Sequence, residues 1–175
     1  MPDGVVQLAD LGATSGKNGP ILQVVQTVKK DKSTIQSTTL TDIPSMSVTI
    51  TPSSSSNKIL IRYCLSVFTN GTYWSMRLLR GNDSTIFIGD QNSNATSQQR
   101  ASFGSYMSSY VDGRSVTQEF LDSPSTTSAT TYKLQLKNLS SESLYINQSK
   151  NDGDQTYIAR AASSITVMEL SLIHI

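Results

Sequence analysis

Hydrophobic and polar positions alternate along the middle of the chain. Between residues 58 and 68 every odd position is apolar, whereas the even positions include Lys58, Arg62 and Ser66. A period of two is the signature of a β-strand, because successive side chains point to opposite faces of a sheet. We therefore predict a strand whose inward residues are Ile59, Ile61, Tyr63, Leu65 and Val67.

Three further stretches show the same period of two and predict strands with one buried face. Serine and threonine occupy most of the opposite positions in the first of them, and threonine, lysine and glutamine in the last. The predicted inward residues are Met46, Val48 and Ile50 in the first stretch, Trp74, Met76 and Leu78 in the second, and Tyr132, Leu134 and Leu136 in the third.

Shorter or less regular strands complete the predicted architecture. They are expected over residues 21–28, 85–88, 101–111, 115–121, 143–147 and 164–172. Clusters of turn-forming residues separate them at 52–57, 70–71, 81–83, 112–113, 123–128 and 151–154. No stretch of ten residues has a helical period, and residues 91–100 are polar without any period, which indicates a surface loop or a broken turn of helix. The pattern predicts an all-β, antiparallel β-sandwich, with a jelly roll as the favoured layout.

The first twenty residues differ from the rest of the chain. They contain four glycines and have no sustained period, which predicts an extended N-terminal docking arm over residues 1–20 ahead of a β-sandwich domain over 21–175. We hypothesise that the arm docks on another protein and becomes ordered there. The apolar residues expected to dock are Val5, Val6, Leu8 and Leu11.

Composition narrows the possible partners. Fourteen basic and thirteen acidic residues give a net charge of +1, too little to attract nucleic acid or an anionic membrane. Serine (29) and threonine (19) supply solubility in place of charges. Cys64 is the single cysteine, so no disulfide can form within the chain. Residues 1–10 lack a basic region followed by an apolar run, and we expect synthesis in a cytoplasm.

The segment Asp42 to Ile61, DIPSMSVTITPSSSSNKILI, resembles a pattern in the tail-fibre, head-fibre and decoration proteins of tailed bacteriophages. The pattern is a strand, a Thr-Pro-Ser turn and a Lys-Ile-Leu-Ile strand. A looser resemblance extends over residues 21–170 and includes residues 132–136 and a last strand that ends near 167–170. The resemblance implies a homotrimeric jelly roll similar to tumour necrosis factor (TNF) or the globular head of complement C1q.

This resemblance leaves two functions open. The first is a structural protein on the virion surface, either a capsid decoration or cement protein or a short head fibre, whose partners are the major capsid protein or other virion proteins. The alternative is the receptor-binding, glycan-adhesive head of a tail fibre. The chain has no repeats or heptads that could build a fibre shaft, which favours the first. A cellular C1q-like or lectin-like module is a third class, for which a signal peptide would be expected.

The sequence gives little support for enzyme catalysis. His174 is the single histidine, and no phosphate-binding loop or dinucleotide fingerprint occurs. The carboxylates Glu119, Glu142 and Glu169 are scattered, and the Asn-Asp cluster at 151–154 lacks the distal glutamate of a calcium loop, so turn chemistry explains it better. We expect no enzyme activity, catalytic residue, metal or cofactor.

Aromatic residues close to polar loops admit two interpretations. Tyr73, Trp74, Tyr106, Tyr110 and Tyr145 would form a sugar-binding surface if their rings were exposed, because flat rings stack on sugar faces. The favoured interpretation places Trp74 in the core and the tyrosines on sheet faces or at a trimer axis. If the protein binds a glycan, Tyr106 and Tyr110 are the candidate contacts.

Overall fold

The computed structural model describes residues 20–69, 72–81, 84–87, 89, 100–107, 113–156, 158 and 160–171. Within these ranges the chain forms eleven β-strands and no helix. The strands are β1 (Ile21–Lys29), β2 (Ser33–Ile35), β3 (Thr41–Ile50), β4 (Lys58–Thr69), β5 (Thr72–Arg80), β6 (Ser84–Ile86), β7 (Phe103–Met107), β8 (Gly113–Asp122), β9 (Thr130–Asn138), β10 (Leu144–Ile146) and β11 (Ser163–Leu170).

The strands form two antiparallel sheets. In the first, sheet A, β4 pairs with β8 on one side and with β11 and β10 on the other, while β1 pairs with β11 and β2 with β10. In the second, sheet B, β9 lies between β3 and β5, and β5 also pairs with β6 and β7. The strands at the edges of each sheet come from distant parts of the chain.

The pairing order defines the fold. Leaving aside the three short strands β2, β6 and β10, the first long strand pairs with the last, β1 with β11. Between these two strands in the sequence, β3 pairs with β9, β4 with β8, and β5 with β7. Such nested pairing, wound so that alternate pairs lie in opposite sheets, is a jelly roll. The predicted all-β jelly-roll sandwich is confirmed.

The core lies between the two sheets, where the predicted alternation places it. All inward residues predicted for the four most regular strands are buried. The largest fully buried rings are Trp74, Tyr63 and Tyr132, with Trp74 tilted against Phe103 at 5.4 Å between ring centroids. Removing this apolar surface from water, at roughly 25 cal/mol per Å², is the main force that joins the sheets.

A buried carboxylate holds the Ser-rich turn between β3 and β4. Glu169, near the end of β11, is fully buried. Its carboxylate accepts hydrogen bonds from the Ser53 backbone N–H (2.7 Å), the Ser53 hydroxyl (2.8 Å), Asn57 Nδ2 (2.7 Å) and Gln23 Nε2 (2.6 Å). The turn is therefore bonded to both β1 and β11, which are distant in the sequence.

The structure corrects the sequence prediction at three places. The strand β2 was not predicted. The strand β3 begins at Thr41, earlier than predicted, because a register shift between Asp42 and Ser47 and a positive φ of 60° at Ser45 interrupt the alternation. Gly113 belongs to β8 and not to a turn. A Cβ atom there would lie 2.1 Å from the ring of Phe68, so any other residue would require this half-buried ring to move.

Candidate functional surfaces

Sheet A carries an apolar row on its solvent-facing side. The cross-strand register aligns Val24 with Met168, Met168 with Leu60, and Leu60 with Leu121. These four side chains, the apolar row, cross the sheet from the edge strand β1 to β8. Val24 is 38% exposed and Leu121 43% exposed, while the two central residues are half-buried. A single chain thus leaves a line of large apolar side chains in water.

The rows beside the apolar row are mostly polar. In the first, Gln26 donates a hydrogen bond to Thr166 (2.8 Å) and Arg62 forms an ion pair with Glu119 (3.3 Å). Both members of this ion pair are more than half exposed, so it adds little stability in water. The next row is Val28, Ser164, Cys64 and Thr117, in which Val28 is again exposed. The face combines apolar contacts with groups that can form specific polar ones.

Sheet B carries an exposed aromatic row on its own solvent-facing side. Tyr73 of β5 lies opposite Tyr106 of β7, with ring centroids 4.6 Å apart and ring planes tilted by 41°. Leu139 follows β9 and donates its backbone N–H to the Tyr73 carbonyl (2.9 Å), which extends the row. Tyr73 is 61% exposed, Tyr106 46% and Leu139 45%. We call these three residues the tyrosine row.

Two rows of different character lie beside the tyrosine row. The first contains Gly104, Ser75 and Lys137, which the register places opposite one another. The second contains Arg77 and Gln135, and the Arg77 Nε donates a hydrogen bond to the Arg100 carbonyl (3.0 Å). The tyrosine rings therefore stand beside a strip of two small residues, the exposed Gly104 and the buried Ser75, with basic side chains at its border.

The structure shows where most of the predicted aromatic residues lie. Trp74 is in the core, as the favoured interpretation stated, while Tyr73 and Tyr106 are exposed on a sheet face, a placement that both interpretations allow. Tyr145 of β10 is half-buried, and Tyr110 lies outside the described residues. The neighbour that the structure gives Tyr106 is Tyr73. The strong alternation around Trp74 already indicates that Tyr73 faces outward, but no sequence signal indicates its pairing with β7.

The predicted docking residues Val5, Val6, Leu8 and Leu11 lie outside the described residues, as does His174. Of the carboxylates considered for catalysis, Glu119 pairs with Arg62 and Glu169 is enclosed by the Ser-rich turn. In the described ranges, no three His, Cys, Asp or Glu side chains come together as metal ligands would. The same ranges contain no helix with the length and hydrophobicity to span a membrane.

The acidic cluster at 151–154 forms ion pairs within the chain. Asp152 accepts hydrogen bonds from Lys32 (2.5 Å) and from Arg160 Nε (2.8 Å). The hydrogen bonds from Arg160 and Lys32 lower the pKa of this carboxyl to about 2. These bonds connect the turn before β2 with the loop between β10 and β11, which agrees with a structural role for the cluster.

The comparisons with known proteins found only solved structures of low similarity. No protein-family model and no curated protein matches the sequence. A solved structure of infectious bursal disease virus, Gx strain, matches 85% of this chain and 42% of that chain at 12% identity, with a TM-score of 0.43. The Eiger TNF of S. frugiperda matches 85% of this chain and 93% of that chain at 10% identity, with a TM-score of 0.35. The chain spans less than half of the viral chain. Both TM-scores lie below 0.5, and the fold assignment rests on the strand pairing within this chain.

Proposed function

We propose that this chain is a structural protein of a virus particle that acts as a homotrimer and binds the particle surface through its N-terminal arm. The observation that carries the self-association is the apolar row on sheet A. Its four side chains belong to the solvent-facing side of a sheet whose other side already covers the core. Burying them against a second copy would add hydrophobic stabilisation at roughly 25 cal/mol per Å².

The geometry of the apolar row suits a closed ring of copies. The row ends at Leu121 on β8, and in the part of the chain that the structure describes β8 pairs only with β4. A β8 edge placed on the row of a neighbouring copy makes a head-to-tail contact, and such contacts close into a ring when the rotation between copies allows it. With a net charge of +1, the copies repel one another little.

We propose a scaffold role in place of catalysis. The buried carboxylates that the structure describes have structural partners: Glu169 holds the Ser-rich turn, and Asp122 binds Arg80 and the Tyr132 hydroxyl. A carboxylate that works as an acid or a nucleophile needs access to a substrate. Glu169 is fully buried and Asp122 nearly so, and both are occupied by these bonds.

The resemblance to phage surface proteins supports a location on the virion. The residues that carry it form one structural unit here. They comprise β3, the Ser-rich turn and the start of β4, and Ser53 and Asn57 of the turn bind Glu169 on the last strand. Residues 167–170 belong to the looser resemblance, so this stretch meets the turn of the 42–61 segment in the structure. The same unit also suits the receptor-binding head of a tail fibre, which a count of copies per particle would distinguish.

Removal of the arm tests attachment to the particle. We expect a chain without residues 1–19 to fold and self-associate but to be absent from purified particles, because the arm makes the contact with the virion. Pro20 is kept because its carbonyl accepts the Ser171 backbone N–H (2.9 Å). The chain in purified particles is measured by immunoblot and mass spectrometry, with the full-length chain as control.

Two outcomes would contradict the proposal at different points. Incorporation of the truncated chain at the full-length level would refute the docking arm. Absence of the full-length chain from particles would refute the virion location itself. The unfolding midpoint of the truncated chain shows whether the domain is intact.

A further inference from the structure

We infer that the tyrosine row and the two rows beside it form a binding site for an oligosaccharide that carries a carboxylate group. The site lies on sheet B, away from the apolar row of sheet A, so it does not depend on the proposed self-association. The three observations behind it are an exposed pair of rings, a strip of small residues beside the rings, and two basic side chains, Arg77 and Lys137, for which the described residues provide no acidic partner.

The exposed rings supply an apolar platform. Tyr73 and Tyr106 keep about half or more of their surfaces in water while in contact with each other at 4.6 Å between centroids. The face of an aromatic ring is electron-rich and attracts partly positive C–H groups, which the apolar face of a sugar presents. The phenolic hydroxyl of each ring can donate and accept hydrogen bonds, as the sugar hydroxyls require.

The strip beside the rings is accessible at Gly104. Gly104 and Ser75 lie opposite each other in the row next to the tyrosines, and Gly104 is exposed whereas Ser75 is buried. A Cβ atom at Gly104 would lie 3.3 Å from the Trp74 carbonyl, so even an alanine there would be tightly packed. A ligand on the rings of Tyr73 and Tyr106 would therefore approach the backbone at Gly104.

The charges around the strip favour an anionic ligand. Lys137 lies beside Ser75, and the described residues offer its ammonium no hydrogen bond or ion pair. Arg77 is in the next row. The strands of sheet B contain one acidic residue, Asp42, and its carboxylate is bonded to Lys133 (2.9 Å) and Gln135 (2.6 Å). A carboxylate on the sugar would complete the charge balance through a charge-assisted hydrogen bond.

The test uses the full chain on an array of neutral and carboxylate-bearing oligosaccharides, followed by affinity measurement on the best binder. We expect binding only to carboxylate-bearing glycans, weaker at higher salt. Tyr73→Ala and Tyr106→Ala should each weaken it about tenfold, or about 1.4 kcal/mol. Lys137→Gln should weaken it roughly three- to fivefold, as expected for an exposed ion pair.

Matched variants separate the site from general effects. Tyr145→Ala, on sheet A, and Lys30→Gln, an exposed lysine outside both faces, should leave binding unchanged. Tyr73→Phe keeps the ring and should retain most of the affinity. The inference is overturned if no glycan binds, if only neutral glycans bind, or if the controls weaken binding as much as the site variants do. A fall in oligomeric mass on Tyr73→Ala would assign the row to subunit contact and would also overturn it.

Discussion

Glu169 is the residue whose environment departs most from that of an ordinary surface carboxylate. It is fully buried, and the described partners of its two oxygens are neutral donors from Ser53, Asn57 and Gln23. Burial acts to raise the pKa of the Glu169 carboxyl, but the hydrogen bonds from Asn57, Gln23 and Ser53 outweigh it and lower the pKa below 4.5. The charged form is therefore the one that the fold stabilises.

The substitution Glu169→Gln tests this environment. We expect it to reduce the free energy of unfolding at neutral pH by about 1–3 kcal/mol, because charge-assisted hydrogen bonds are lost and one amide N–H₂ faces donors. Urea denaturation measures the change. The matched control is Glu119→Gln, whose half-exposed ion pair with Arg62 should be worth no more than about 1 kcal/mol.

The lowered pKa also fixes the direction of the pH dependence. A carboxyl whose pKa is lower in the folded state stabilises the fold above its unfolded pKa and loses this contribution as the pH falls through the folded pKa. The stability difference between the wild type and Glu169→Gln should therefore be constant near neutral pH and should shrink below about pH 4.5. A Gln variant as stable as the wild type would show that the turn does not depend on the charge.

Single strands are joined into a sandwich by contacts at their ends as well as by the core. Asp122 at the end of β8 in sheet A accepts two hydrogen bonds from Arg80 (2.9 and 2.8 Å) and one from the Tyr132 hydroxyl (2.8 Å), both of which belong to sheet B. Burial, and then the nearby Asp122 carboxylate, raise the pKa of Tyr132, so the phenol remains a donor. The three side chains connect the two sheets at this end.

Removing Asp122 should weaken the junction between the sheets. We expect Asp122→Ala to cost about 2–3 kcal/mol of unfolding free energy, because it leaves Arg80 and the Tyr132 hydroxyl unpaired. The partial exposure of Arg80 keeps this below the roughly 3–5 kcal/mol of a fully buried pair. Asp42→Ala, which breaks a pair with Lys133 in which the Asp42 carboxylate is about half exposed, is the control and should cost less, about 1 kcal/mol. Equal losses in the two variants would contradict the role given to Asp122.

The elements differ in how far the sequence predicts them. Strands such as β4 and β9 alternate over nine or more residues, and their inward residues were predicted correctly. The strand β2 has three residues, too few to show a period, and the bulge at Ser45 conceals the first half of β3. Local pattern indicates which way a side chain faces, but it does not indicate which strands are neighbours.

The same limit explains the candidate surfaces. The apolar row joins β1, β11, β4 and β8, and its members become neighbours only through the register of the four strands. Tyr106 was a candidate from the sequence, whereas its contact with Tyr73 depends on the pairing of β5 with β7. The arm residues and Tyr110 remain predictions, since they lie outside the described residues.

At the scale of the whole molecule, the two sheets present different outer faces. Sheet A exposes aliphatic side chains in a row that crosses it from edge to edge, which suits contact with another copy. Sheet B exposes tyrosines beside Arg77 and Lys137, which have no acidic partner among the described residues, and this suits a polar, anionic ligand. We propose that sheet A builds the homotrimer and that sheet B remains accessible on its outside.

The molar mass in solution, measured by light scattering at micromolar concentration, tests the self-association most directly. For a homotrimer we expect a wild-type molar mass of three times 19.0 kDa, about 57 kDa. Leu121→Lys, at the end of the apolar row, should lower this mass to that of one chain, whereas Leu139→Lys, equally exposed on sheet B, should leave it unchanged. A wild-type chain that stays monomeric would contradict the proposed self-association. A trimer that Leu121→Lys leaves intact would contradict the apolar row as its interface.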